Sequence, residues 1–224
     1  MPPTTRRRLA DDRDARRPAA ATTEASTMTD DTTRSETEVL IMEATYAALR
    51  RHGYADLSVA QIADEFKKSK SLLYYHYDSK DDLIAAFLSF AADQFMADIE
   101  AVTAAEEPVA TVRTLVDHLL TVESREMRDG QRMIIELRGQ AVSEPRFRER
   151  FTRVDDRLRE RIRSALAAGV ERGVFDAEID PEDTAGMLYA ALTGAMVQQH
   201  TADGDPTEAV RRMIHRRLDR LVVD

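Results

Sequence analysis

Apolar residues recur every three or four positions through most of the chain, and the breakers between these stretches outline a succession of helices. The first opens at a capping box, Ser35-x-x-Glu38, and carries Leu40, Ala44, Ala47 and Ala48 on one face. Gly53, which tolerates a left-handed backbone, ends it just after His52. Ser58 can cap a short second helix in which Val59, Ile62, Ala63 and Phe66 repeat at i, i+3, i+4 and i+7. After a break of two or three residues, a third short helix runs from Ser69 to about Tyr75. Ser79 then caps a long helix bearing Leu83, Ile84, Phe87, Leu88, Ala91, Phe95 and Ile99.

Further along, Pro108 opens a helix, Asp129-Gly130 is expected to separate two, and Pro145 opens a long one reaching about Gly173. Asp180-Pro181 and Asp205-Pro206 each set a cap residue before a proline at the first helical position. The pattern predicts an all-α protein of about nine helices with no strand. Its composition agrees, with only 8 Gly and 7 Pro among 224 residues dominated by helix formers. Residues 1–34 lack apolar periodicity and mix charges of both signs, so they are expected to form a disordered tail, with Arg6-Arg7-Arg8 a solvated cluster. Residues 35–82 then form a three-helix helix-turn-helix domain, and residues 83–224 a larger helical domain.

Cysteine is absent, which excludes disulfides, thiolate nucleophiles and cysteine-based zinc sites. The five histidines (His52, His76, His118, His200 and His215) have no metal-ligand spacing. No nucleophile elbow, Walker loop or GxGxxG turn occurs, so neither an enzyme nor a cofactor is expected. The N-terminus has no apolar signal core, which points to a cytoplasmic protein. The uncharged stretch 184–202 contains Thr193, Gln198, Gln199 and His200, and reads as a helix buried among helices rather than a membrane span.

A net charge of −9 argues against nucleic-acid binding as a bulk property. The distribution says otherwise. All four lysines, Lys67, Lys68, Lys70 and Lys80, lie in one short window whose single acid is Asp78. That basic island coincides with the two short helices joined by a tight turn, the shape that sets a helix into the DNA major groove. Leu73 and Tyr77, four apart, can pack inward and leave Lys70, Ser71, Tyr74 and Tyr75 toward the groove or its rims. Lysine can donate to guanine or phosphate, serine can contact either, and a tyrosine ring can lie on a thymine methyl. Lys80, at the start of the next helix, is placed to clamp a phosphate.

The stretch Leu57-Ser58-Val59, then Ile62-Ala63, then Ser69-Lys70-Ser71-Leu72-Leu73-Tyr74-Tyr75-His76-Tyr77, then Ser79-Lys80 and Leu83, resembles the DNA-binding signature of the TetR family of transcriptional regulators. The resemblance covers about 50 residues, from Glu36 to Ile84. It implies a homodimeric repressor whose last two helices pair into a four-helix bundle, with a pocket for an unknown small-molecule effector in the central helices and a double-stranded DNA operator as partner. It also implies that Lys70, Ser71, Tyr74, Tyr75 and His76 approach DNA, with Ser58, Gln61 and Lys80 contributing from flanking helices. The sequence departs from the family at the turn, where Lys67 and Lys68 replace the usual Gly-Val pair. A left-handed lysine there costs roughly 1 kcal/mol; alternatively, the two lysines hold phosphate.

Phe95, Met96, Met127, Met133, Ile134, Leu137, Phe151, Met187, Tyr189 and Met196 could line an adaptable apolar pocket, or could be ordinary core. His118, Glu123 and Glu136 lie on the same helices and could select a cationic ligand if buried. In the last two helices, Met187, Leu188, Ala191, Leu192, Ala195 and Met196 repeat on one side, with Gln199 beyond them. Val210, Met213, Ile214, Leu218 and Leu221 do likewise. Small residues such as Gly186, Ala190 and Gly194 permit close approach, and a helix this apolar needs a second subunit as cover. A sequence-independent architectural DNA-binding protein and a helical adaptor without DNA binding stay open as alternatives.

Overall fold

The computed structural model describes residues 35–66, 69–104 and 107–223. The expected tail at 1–34 and the turn lysines Lys67 and Lys68 lie outside the described residues. Over the rest the chain forms α1 (Glu36–His52), α2 (Val59–Glu65), α3 (Lys70–His76), α4 (Lys80–Thr103), α5 (Pro108–Leu120), α6 (Arg125–Gln140), α7 (Pro145–Glu171), α8 (Pro181–Thr201) and α9 (Thr207–Leu221). Among the described residues the fold is all-α, and the single β-bridge, Phe175 with Val222, extends into no strand.

Local chemistry sets most helix starts. The capping box at α1 closes from both sides, Glu38 N–H donating to Ser35 Oγ (3.3 Å) and Ser35 N–H to Glu38 Oε2 (2.9 Å). Ser58 and Gln61 repeat it at α2, and Ser79 Oγ accepts from Asp82 N–H at α4 (3.1 Å). Ser69 departs from this habit. Its hydroxyl lies 2.9 Å from that of Ser71 and caps no backbone group. Asp180 accepts from the N–H groups of Glu182 and Asp183, with Pro181 at the first helical position. At α9 Asp205 Oδ1 accepts from Thr207 N–H (2.9 Å) and Oγ1 (2.6 Å), and these bonds pull its pKa below the ordinary value. That helix starts one residue later than expected, with Pro206 as its N-cap.

One expected boundary is overturned. α6 runs unbroken through Asp129-Gly130, and the break falls earlier, at 121–124, where Ser124 Oγ caps the N–H of Met127 (3.1 Å). A helical glycine costs only about 1 kcal/mol relative to alanine. The buried Met133 and Leu137 on the same helix more than offset that cost.

The apolar side chains gather into two clusters. One joins α1–α3, the first half of α4, and Met133, Leu137, Phe147 and Phe151 from α6 and α7. The other joins the second half of α4 to α5, α7, α8 and α9, with Leu115, Ile162, Leu166 and Leu218 at its centre. No helix among the described residues is long and apolar enough to cross a membrane.

After α7 the chain reverses on Gly173, whose φ of 67° favours glycine, and Val174 and Phe175 both donate to Gly169 O (2.8 and 3.1 Å). The fully buried Phe175 ring occupies the space beside Gly169: a β-carbon there would stand 2.2 Å from Phe175 Cδ2. Gly169→Ala is therefore expected to destabilise the protein by about 1–3 kcal/mol. Urea denaturation reads the change, and an unaltered midpoint would contradict this packing.

Candidate DNA-binding surface and ligand cavity

α3 is anchored chiefly by one residue and exposes most of the others. Leu73 is 1% exposed and Leu72 and Tyr77 pack partly against the first cluster, whereas Lys70, Ser71, Tyr74, Tyr75 and His76 face solvent. Tyr75 is 83% exposed, which no folding requirement explains, since a tyrosine ring gains by burial. Ser69 is exposed beside them, and Lys70 Nζ lies 5.8 Å from the Tyr74 ring centroid. Ser58 and Gln61 stand at the start of α2, where the hydroxyl and the amide oxygen serve the capping box and Gln61 Nε2 lies 3.3 Å from His52 Nδ1. Lys80 is drawn back from solvent. Its ammonium sits 4.3 Å over the Tyr54 ring and donates to Tyr54 O (3.3 Å).

Tyr54 is the centre of the turn between α1 and α2. Its hydroxyl donates to Asp81 Oδ1 (2.9 Å), and its pKa is pushed up to about 12, first by burial and then by that carboxylate. Its ring meets Phe147 edge-on, with centroids 5.7 Å apart. Its backbone N–H donates to Glu136 Oε1 of α6 (3.1 Å). The preceding Gly53 has φ 68° and lies close under the same carboxylate. Arg50 adds an ion pair to Glu126 (2.6 Å), and Arg146 of α7 pairs with Asp82.

The other face of α6 borders a cavity of about 470 Å³ walled mainly by apolar side chains of α4, α6, α7 and α8, with Met42 and Tyr46 of α1. Of the residues expected there, Phe95, His118, Met133, Ile134, Phe151 and Tyr189 line it, as does Met196. Met96 and Leu137 are buried in core away from the wall, Met127 and Met187 are exposed (39% and 53%), and Glu123 faces solvent. Glu136 is committed to the α1–α2 turn. Sequence reasoning missed Phe87, Phe90, Arg138 and Arg150. The aromatic series on α4 was a signal for the first two, though it reads equally as core.

Arg138 makes a two-pronged bond to Asp155 (3.0 and 2.6 Å) over the Phe151 ring, and Tyr189 donates to the same carboxylate (2.6 Å). Burial raises the Tyr189 pKa to about 12, with the Asp155 hydrogen bond adding to it. For Arg138, burial alone would lower the pKa, and the bond and charge of Asp155 outweigh it.

The residues expected at a dimer interface divide. Leu188, Leu192, Ala195, Ile214, Leu218 and Leu221 are buried within the protomer, and Val210 packs partly against them. Gln199 is half-buried beside Asp205. Facing out are Met187, Ala190 and Gly194 of α8 and Met213 of α9 (58% exposed), with Ala191 partly so; open space surrounds Gly186 and Gly194.

A helix-turn-helix with an exposed polar third helix, joined by one long helix to a body with an apolar cavity, is the make-up of a helix-turn-helix transcriptional regulator. Residues 41–87 match the tetR family of bacterial regulatory proteins, and residues 108–223 match the C-terminal domain of BetI-type transcriptional repressors. The transcriptional repressor KstR2 of Rhodococcus jostii is 31% identical over 150 residues, 65% of this chain and 70% of its own. The transcriptional repressor AcnR of Corynebacterium jeikeium is 26% identical over 166 residues, 74% of this chain and 82% of its own. A TetR regulator of Haloarcula marismortui shares 34% identity with a TM-score of 0.77, covering 85% of this chain and 100% of that one. The chain belongs to the TetR family of transcriptional regulators.

Glu136→Ala removes the acceptor of the Tyr54 N–H and is expected to cost about 1–2 kcal/mol of stability. Chemical denaturation measures it, and a loss below a few tenths would mean that the turn does not depend on this bond.

Proposed function

We propose that the protein is a dimeric, sequence-specific transcriptional repressor, released from its operator when a small molecule enters the cavity. The observation that carries the DNA-binding reading is the exposure of Lys70, Ser71, Tyr74, Tyr75 and His76 on a helix anchored by Leu73. Family membership and the repressor relatives support it. Residues 35–82 act as the reading head and residues 83–224 as the regulatory and dimerisation part, in the cytoplasm where the operator DNA lies. Two heads of a dimer would meet a two-fold operator about one helical turn, roughly 34 Å, apart. A ligand against α6 acts on Glu136, and through the Tyr54 N–H on the head. It relieves repression if it prefers the arrangement that separates the heads wrongly.

Fluorescence anisotropy of the protein on the DNA upstream of its own gene, against scrambled DNA across a salt series, tests the reading. A preference of about a thousandfold or more supports a specific regulator. Equal, steeply salt-dependent binding to both would favour an architectural protein instead. Within that assay, Lys70→Ala and Tyr74→Ala should each weaken operator binding by about 1–3 kcal/mol and scrambled DNA less, whereas Lys80→Ala should weaken both alike. Equal effects from all three on both DNAs would overturn these roles.

The outward face of α8 and α9 supports the dimer. Gly194→Arg meets open space in the protomer, so the fold should persist while sedimentation shows monomers in place of dimers. A variant that stays dimeric would place the interface elsewhere.

A further inference from the structure

Three arginines of α7 follow α4 in register. Arg146 pairs with Asp82 and Arg157 with Asp93 (3.2 Å), each pair 64 residues apart in sequence. The same offset sets Ala86 opposite Arg150, which lies between them. Arg150 accordingly has no ion-pair partner among the described residues, and its Nε is buried without a hydrogen bond. It also lines the cavity. The other cavity arginine, Arg138, is matched by Asp155, so of the two arginines Arg150 is the one without a counter-charge among the described residues. The two acids on the lining, Glu43 and Asp98, are exposed to solvent, whereas the Arg150 Nε is buried.

A buried guanidinium donor without an acceptor is costly unless a ligand supplies one, and carboxylates match its geometry. We infer that the cavity binds an apolar molecule carrying one carboxylate, the carboxylate on Arg150 and the hydrocarbon among Phe87, Phe90 and Ile134. The volume suits a ligand of that kind, within the roughly 300–1,000 Å³ of small-molecule sites. This inference deepens the effector reading and rests on it for regulation, though not for binding. It runs against the cationic ligand that the sequence suggested from His118, Glu123 and Glu136: His118 lines the cavity, but neither carboxylate does. A Saccharomonospora viridis regulator of the same fold, 22% identical with a TM-score of 0.73, was solved with choline, so a cation is the informative competitor.

The test is titration calorimetry of the full chain with three probes of equal chain length below their micellar concentrations: dodecanoate, dodecanol and dodecyltrimethylammonium. Dodecanoate should bind at one per chain and at least tenfold more tightly than the other two. Arg150→Gln should bring dodecanoate down to the level of dodecanol, and Arg150→Lys should keep most of the preference. Both variants should fold, since the Arg150 side chain makes no hydrogen bond or ion pair among the described residues, and circular dichroism melts check this. Tighter binding of the alcohol or the cation, or an unchanged preference in Arg150→Gln, would overturn the inference. Adding dodecanoate to the operator complex separates the two ideas. Binding to Arg150 without DNA release would keep the anion site and overturn its effector role.

Discussion

α4 carries the architecture, because this unbroken helix follows directly on the helix-turn-helix and, like α7, is shared by two hydrophobic clusters. Leu83, Ile84, Phe87 and Leu88 belong to the core beneath the helix-turn-helix, and Met96 and Ile99 to the core of the larger helical body. Phe87, Phe90 and Phe95, between and beside them, face the cavity. The helix runs unbroken over 24 residues, about 36 Å at 1.5 Å per residue. At its head sit Lys80 and Asp81, both holding Tyr54. Tyr54 is therefore held from two sides, by α4 through Lys80 and Asp81 and by α6 through Glu136, which accepts from its backbone N–H.

Charge is arranged against the bulk sign. An acidic protein keeps its four lysines within residues 67–80, and much of its arginine in local pairs such as Arg163 with Glu160 and Arg211 with Glu208. Exposed pairs of this kind add little stability and leave little surplus field. The two arginines of the cavity differ from them: Arg138 is paired with Asp155, and Arg150 has no ion-pair partner among the described residues.

Much of the helical order was legible because it is written in short range. Ser35 with Glu38, Ser58, Ser79 and Asp180 ahead of Pro181 each cap a backbone group within three residues, so their spacing alone located the starts. Asp129-Gly130 misled for the opposite reason: the dipeptide has a local preference for turns, and the burial of Met133 and Leu137 overrides it. The outward residues of α3 were also legible, since Leu73 and Tyr77 mark the inner side of a short helix. The cavity wall was legible only in part. An apolar position on α4 or α7 looks the same in sequence whether its neighbour is a side chain or open space.

Sequence alone thus determined the all-α class, most of the helix starts and the exposed face of α3, because capping and amphipathic periodicity act over a few residues. The tertiary structure decided which apolar residues line a cavity, that Glu136 serves a turn, and that Arg150 has no ion-pair partner among the described residues. It also divided α8, apolar nearly all round, into Leu188 and Leu192 facing inward and Met187 and Gly194 facing out. These outcomes depend on how helices far apart in sequence are set against one another, and no local pattern encodes that register.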